Sequence, residues 1–265
     1  MNKNQPDILI AVAMLIMLLA LQILIGAGFY DAGVVFKYGD PRSSIILVIS
    51  TGIVITAAMS FTGLNYSELF HASDKSIKST VLMLFTPVFL VVLGSVWWFV
   101  DLMGFLISFM PEDKETIDML ERMMSGGVVS VISICLIAPF LEEMLFRGII
   151  LRGFLSHYPP SKAIILSAFL FGLYHLNIYQ MFVTFWMGCF LGWLYYYSRS
   201  LWPVIFAHAV YNGGVYIRAI NHDWKLNSVV MNIMMLLVSI GGLFILVRIF
   251  NVTLSLRNRF NDSIK

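Results

Sequence analysis

The chain has 265 residues, of which 59% are apolar and 12% charged, and its formal net charge is +2. The charged share is about half of the roughly 25% usual in soluble domains, and mean hydropathy is +0.86. A soluble domain could not hide so much apolar surface from water, so the composition specifies an all-α, polytopic membrane protein and excludes disordered, collagen-like and disulfide-scaffold classes. Near-zero charge without a strong basic run gives no case for a nucleic-acid partner. The two cysteines, Cys135 and Cys189, lie in apolar stretches and read as small packing residues.

A membrane-spanning helix needs roughly 20 apolar residues. Eight segments meet or approach that length: Ile8–Phe29, Ile45–Phe61, Val81–Val100, Val128 past Phe146, Ala163–Leu176, Met181–Tyr197, Val204–Ile220 and Val229–Phe250. The first is too long for a cleavable signal peptide and lacks a small-x-small exit. Pro87 interrupts the third and predicts a kink. The fifth and seventh are short or polar and rank lowest by hydropathy. None alternates as barrel strands do, so helices are the only spanning form left. No internal repeat or soluble domain interrupts them, and residues 1–265 read as a single membrane domain.

With the amino terminus cytoplasmic, 11 of the 17 basic residues fall on the cytoplasmic side and six outside. The six are Lys37, Arg42, Lys114, Arg122, Arg218 and Lys225. This bias predicts both termini inside, and the absence of a eukaryotic targeting signal points to a bacterial plasma membrane. The acidic segment Pro111–Met124 has apolar Ile117, Leu120 and Met124 at helical spacing. It reads as an amphipathic stretch on the outer surface or as a solvated loop with one helical turn. Trp97, Trp98, Trp202 and Trp224 read as interfacial anchors. Gly188 and Gly192 form a Gly-x-x-x-Gly pair, which predicts close helix packing.

Ionisable groups inside spans are costly and mark functional sites. They concentrate in three spans: Glu142, Glu143 and Arg147 in the fourth, His175 in the fifth, His208 in the seventh with Asn212. From a cytoplasmic turn at 156–161, helix rise puts Glu143 roughly 18 Å and His175 roughly 21 Å into the membrane. His208 and Asn212 come out at roughly 10 and 16 Å, so the groups occupy overlapping layers. Glu143 and Arg147 are i and i+4, in the favourable order for an ion pair, as are Phe171 and His175, and His208 and Asn212, on their own helix faces. Glu142 points about 100° away from Glu143, so one carboxylate can pair with Arg147 while the other stays free. A carboxylate with a histidine can deprotonate water, and a second histidine with an amide can donate to an oxyanion. Those parts suffice to hydrolyse a peptide bond. A second reading makes Glu142, His175 and His208 ligands of Zn²⁺, with water in the open position. No His-Glu-x-x-His, Gly-x-Ser-x-Gly or phosphate-binding loop is present.

The motifs Glu-Glu-x-x-x-Arg (Glu142, Glu143, Arg147), Phe-x-x-x-His (Phe171, His175) and His-x-x-x-Asn (His208, Asn212), in that order, resemble those of the CPBP family. This is the CAAX protease and bacteriocin-processing family, also called Abi, and it includes the type II CAAX prenyl endopeptidases. The matching core is 128–212. The resemblance implies an eight-helix intramembrane endopeptidase whose site, formed by the fourth, fifth and seventh helices, opens to the cytoplasmic side. It implies that Glu142 activates water with His175 assisting, that His208 and Asn212 form an oxyanion hole, and that Arg147 holds Glu143. A glutamate and a metal mechanism both fit these residues, so no cofactor is assigned beyond Zn in the second reading. The partners implied are membrane lipid and a membrane-associated protein or peptide substrate. A catalytically silent scaffold or bacteriocin-immunity protein of the same fold is the alternative, and a proton-coupled transporter a more distant one. Substrate identity and oligomeric state stay open.

Overall fold

A computed structural model describes residues 4–111, 113–221 and 229–263, with side chains through 253 apart from those gaps. Trp224 and Lys225 lie outside the described residues. Among the described residues the elements are helices, with one isolated bridge between His71 and Ser200. The chain is a polytopic all-α membrane protein.

The helices are α1 (Ile8–Asp31), α2 (Ser44–Thr62), the short α3 (Tyr66–Phe70), α4 (Ile77–Ile107), α5 (Lys114–Ser125), α6 (Val128–His157), α7 (Pro160–Tyr174), α8 (Ile178–Ser198), α9 (Trp202–Ile220) and α10 (Val229–Ser263). Their boundaries follow local chemistry. Asp7, Ser76 and Asn177 accept first-turn amide hydrogens through their side chains. Pro160 and Pro203 occupy starting turns of α7 and α9, where a missing N–H costs least. All eight segments expected to span are helical. Six described helices are long and apolar enough to cross a membrane, while α7 is a shorter apolar helix. The Pro111–Met124 segment forms the 12-residue α5, with Asp113 capping it and Thr116 and Met119 buried, so it is a docked helix rather than a solvated loop.

The bundle has two ends. One gathers the start of α1, the α2–α4 connection, the α6–α7 turn and the α8–α9 turn. His157 bonds the carbonyl of Gln5, Arg152 that of Glu68, and Ala72 that of Arg199. The opposite end gathers the α1–α2 loop, α5 and the α7–α8 turn. There Ser133 donates to the carbonyl of Pro41, Arg122 to that of Tyr38, and Asn177 to the hydroxyl of Thr116.

Helix contacts depend on close backbone approach. Gly94 of α4 lies against the backbone of Met235 and the hydroxyl of Ser239 on α10, and Gly242 returns the contact against Pro87 and Val91. Gly188 and Gly192 do pack closely, the first on Ala168 and Phe171, the second on Ile164 and Leu151. Trp97 and Trp98 are half-buried. They lie well inside α4, where Trp98 donates to Ser239 and the Trp97 ring is 5.7 Å from the Arg218 guanidinium. Trp202 stacks on Phe70 at 5.3 Å.

A methyl at position 94 would fall 2.3 Å from the Met235 carbonyl oxygen and from Ser239 Oγ. Gly94→Ala should therefore lower stability by about 1–3 kcal/mol, read as an earlier unfolding midpoint in detergent. Gly52→Ala, with nothing within 4 Å of the added carbon, should leave the midpoint where it is.

Candidate active site

The motif residues of α6, α7 and α9 meet inside the bundle. Glu142, His175, His208 and Asn212 line one cavity of about 620 Å³. Glu143, Arg147 and Phe171 stand behind that wall, each 0% exposed.

Glu143 is the hub. Its Oε1 accepts from Arg147 at 2.8 Å and from His208 Nδ1 at 2.7 Å. A buried carboxylate needs such donors, because lipid and apolar side chains offer none. Arg147 donates its other terminal nitrogen to the Gly188 carbonyl at 3.2 Å, and its guanidinium lies 4.6 Å from the Phe171 ring centre. Phe171 is thus the floor beneath the charge. Its ring also meets those of His175 and His208 edge-on, at 5.1 and 5.9 Å. The first Phe of the Phe-x-x-x-His pattern is therefore the surface that orders both imidazoles and the arginine.

Ring tautomers follow from the partners. A carboxylate oxygen only accepts, so His208 Nδ1 carries a proton and Nε2 faces Glu142 Oε2 at 3.8 Å. His175 Nδ1 donates to the Phe171 carbonyl at 2.9 Å, which leaves Nε2 as its free position. That carbonyl is available for a structural reason. The last turn of α7 tightens, with the His175 amide bonding the Gly172 carbonyl and the Leu176 amide that of Leu173. The carbonyl of Phe171 loses its usual backbone partner, and the histidine side chain replaces it. Leu176 then takes a left-handed φ of 51° and turns the chain toward α8.

Asn212 is placed by a parallel argument. Within α6 the residues Ser133–Ile137 widen to a π-helix, and the Ala138 amide bonds the Ser133 carbonyl. The same i to i+5 register would hand the Ile134 carbonyl to residue 139, a proline without an N–H. The Asn212 amide donates to that carbonyl at 2.9 Å. One amide hydrogen is thereby committed, and an oxyanion role rests on the other. The expected donor role of His208 is narrowed as well: its Nδ1 proton is engaged with Glu143, so only a proton on Nε2 could reach a substrate. A second π segment, Met144–Leu151, follows Glu143. Such interruptions recur where helices carry functional groups.

Glu142, His175 and His208, the three expected zinc ligands, share the cavity. No group of three His, Cys, Asp or Glu among the described residues is placed to hold a metal ion.

Composition and motif spacing missed the walls of the cavity. It is also lined by Tyr38–Pro41 of the α1–α2 loop, by Met119, Met123 and Met124 of α5, and by Met103 and Ile107 of α4. Gln180 and Thr184 add a polar strip from α8, and their i, i+4 spacing is the signal that could have found them. This end of the bundle is opposite to the start of α1.

These features define a polytopic membrane protein with a buried acid, base and amide cluster at a large cavity. Residues 124–214 match the family model described as type II CAAX prenyl endopeptidase Rce1-like. The motif-bearing core is thus similar to the CAAX protease family. Over 137 residues the chain is 26% identical to YdiL of Bacillus subtilis (strain 168), named as a candidate membrane peptidase, covering 51% of this chain and 54% of that protein. The match spans about half the length of that curated relative. No solved structure matches this chain.

Removing Arg147 strands Glu143 in the bundle. Arg147→Met should cost about 3–5 kcal/mol of stability. Asn212→Leu, which leaves the Ile134 carbonyl unpartnered, should cost about 1–3 kcal/mol. Unfolding midpoints in one detergent would rank them, and an Arg147→Met midpoint equal to wild type would refute the hub role of Glu143.

Proposed function

We propose that this chain is an intramembrane endopeptidase that hydrolyses a peptide bond of a membrane-associated protein or peptide with a water activated by Glu142. The carrying observation is that Glu142, His175, His208 and Asn212 line the same cavity while the Glu143–Arg147 pair is buried behind them. The match to the CAAX protease model supports the reading.

In this mechanism water enters between Glu142 and His208 and gives a proton to Glu142, with His175 Nε2 as the assisting base. The hydroxide adds to the scissile carbonyl carbon. The resulting oxyanion accepts from the second Asn212 amide hydrogen and from His208 when Nε2 is protonated. In that state Glu142, Glu143, Arg147 and His208 sum to zero charge before the water is split. Collapse of the intermediate breaks the C–N bond, and the proton held by Glu142 passes to the leaving amine. Glu143, Arg147 and Phe171 are positioning residues.

The sidedness of the site follows from charge. Arg147 leaves the count of cytoplasmic cations because it is buried in the bundle. Among the described residues the remaining bias is eight to five in favour of the end away from the cavity. We therefore place the termini in the cytoplasm of a bacterial plasma membrane and the cavity mouth on the outer side. The substrate would then be presented from the outer leaflet, as an exported or membrane-inserted peptide.

Glu142→Gln and His175→Ala should each reduce cleavage by about 10²- to 10⁴-fold with helical content and detergent-phase size unchanged. Membrane peptides that accumulate in cells carrying Glu142→Gln supply the substrate for a purified assay. Wild-type rates in the folded variant would refute the assignment, and a catalytically silent scaffold would give no cleavage in either form. Elemental analysis of the active protein, with chelator treatment, checks the metal-free reading: about one zinc per chain and loss of activity on chelation would overturn it.

Orientation is read with single cysteines in a Cys135→Ser, Cys189→Ser background. An impermeant maleimide should label Val35→Cys in intact cells and Lys162→Cys only after lysis. The reverse pattern would put the mouth in the cytoplasm.

A further inference from the structure

A second cavity, of about 690 Å³, lies at the end of the bundle away from the candidate active site. We propose that it binds the phosphate headgroup of an anionic glycerophospholipid.

Among the described residues its lining carries three cations, Lys75, Arg152 and Arg199, against one carboxylate, Asp74. The cations are half-buried. Lys75 donates to the Thr253 hydroxyl, Arg152 to the Glu68 carbonyl, and the Arg199 guanidinium lies 5.3 Å from the Tyr196 ring centre. Three guanidinium or ammonium groups lining one cavity favour an anion among them. Thr80 also lines this cavity; it is 4% exposed, and its hydroxyl has no hydrogen-bond partner among the described residues. It stands in the first turn of α4, where the positive end of a 31-residue helix favours an anion.

The apolar half of the cavity selects a lipid over free phosphate. Deeper along the spans the walls become Leu84, Ile249 and Phe250. Met83 lines the cavity and also lies on the outer face of α4, 36% exposed. In a membrane bundle that face meets acyl chains, so lipid tails would run along Met83 while the headgroup stays among the cations. Basic pockets between spans at the cytoplasmic boundary bind lipid headgroups in this way. The inference is independent of the proposed peptidase chemistry.

The probes are phosphatidylglycerol and phosphatidylcholine with the same acyl chains, and inorganic phosphate. Binding to the full-length protein in detergent is read by native mass spectrometry. Phosphatidylglycerol should be retained over phosphatidylcholine. The double variant Lys75→Gln, Arg199→Gln should weaken it about thirtyfold, since each interfacial cation is worth about fivefold. Thr80→Val, nearly isosteric, should weaken it about tenfold and carries the test if the double variant does not fold. Glu142→Gln, in the other cavity, should leave binding unchanged. Equal retention of the two lipids, or full retention by the variants, would overturn the proposal. So would displacement of the lipid by inorganic phosphate at comparable concentration, which would identify a free-anion site.

Discussion

A carboxylate with no access to water governs this structure. Glu143 is fully buried, and the groups that make it tolerable come from two helices: Arg147 from its own and His208 from α9. Arg147 in turn draws in α8 through the Gly188 carbonyl and α7 through the Phe171 ring. Four helices are thus fixed around one charge. A bundle in lipid lacks the hydrophobic force that drives soluble helices together, so a cluster of this kind specifies which helices are neighbours and in what rotation.

The side chains facing the cavity also complete the backbone. Asn212 serves a carbonyl orphaned by a π turn and Pro139, and His175 serves one left by the tightened end of α7. Neither carbonyl keeps its usual helical partner. Each functional group is consequently held in place by a bond that the main chain itself requires, and the reactive position, Nε2 of His175 or the second amide hydrogen of Asn212, is left pointing elsewhere. Binding and catalytic geometry benefit when supporting bonds are fixed in this way.

The molecule is also polar along its length. The end with the acidic α5 covers the first cavity, and the methionines 119, 123 and 124 form an adaptable apolar wall there. The other end carries the basic cavity between α4, α8 and α10. Exposed apolar side chains such as Leu9, Ile23, Leu82 and Phe244 cover the flanks between them, as expected of surfaces that face acyl chains rather than water.

The sequence by itself determined the class, the helices and the chemical parts. Apolar runs of span length admit only helices, and ionisable residues are rare enough in such runs that Glu142, Glu143, Arg147, His175 and His208 stand out without any fold. The i, i+4 spacing even fixed the Glu143–Arg147 pair, because both partners ride on one helix. What lies between helices was decided by tertiary structure. Spacing along α9 could not reveal that His208 turns Nδ1 to Glu143, or that Asn212 spends a hydrogen on Ile134, since each partner is more than 60 residues distant. Hydropathy likewise set neither the inward packing of Trp97 and Trp98 nor the end of the bundle at which the cavity opens. Those depend on how helix faces rotate against one another, and a one-dimensional pattern of apolar residues carries no record of that rotation when nearly every face is apolar.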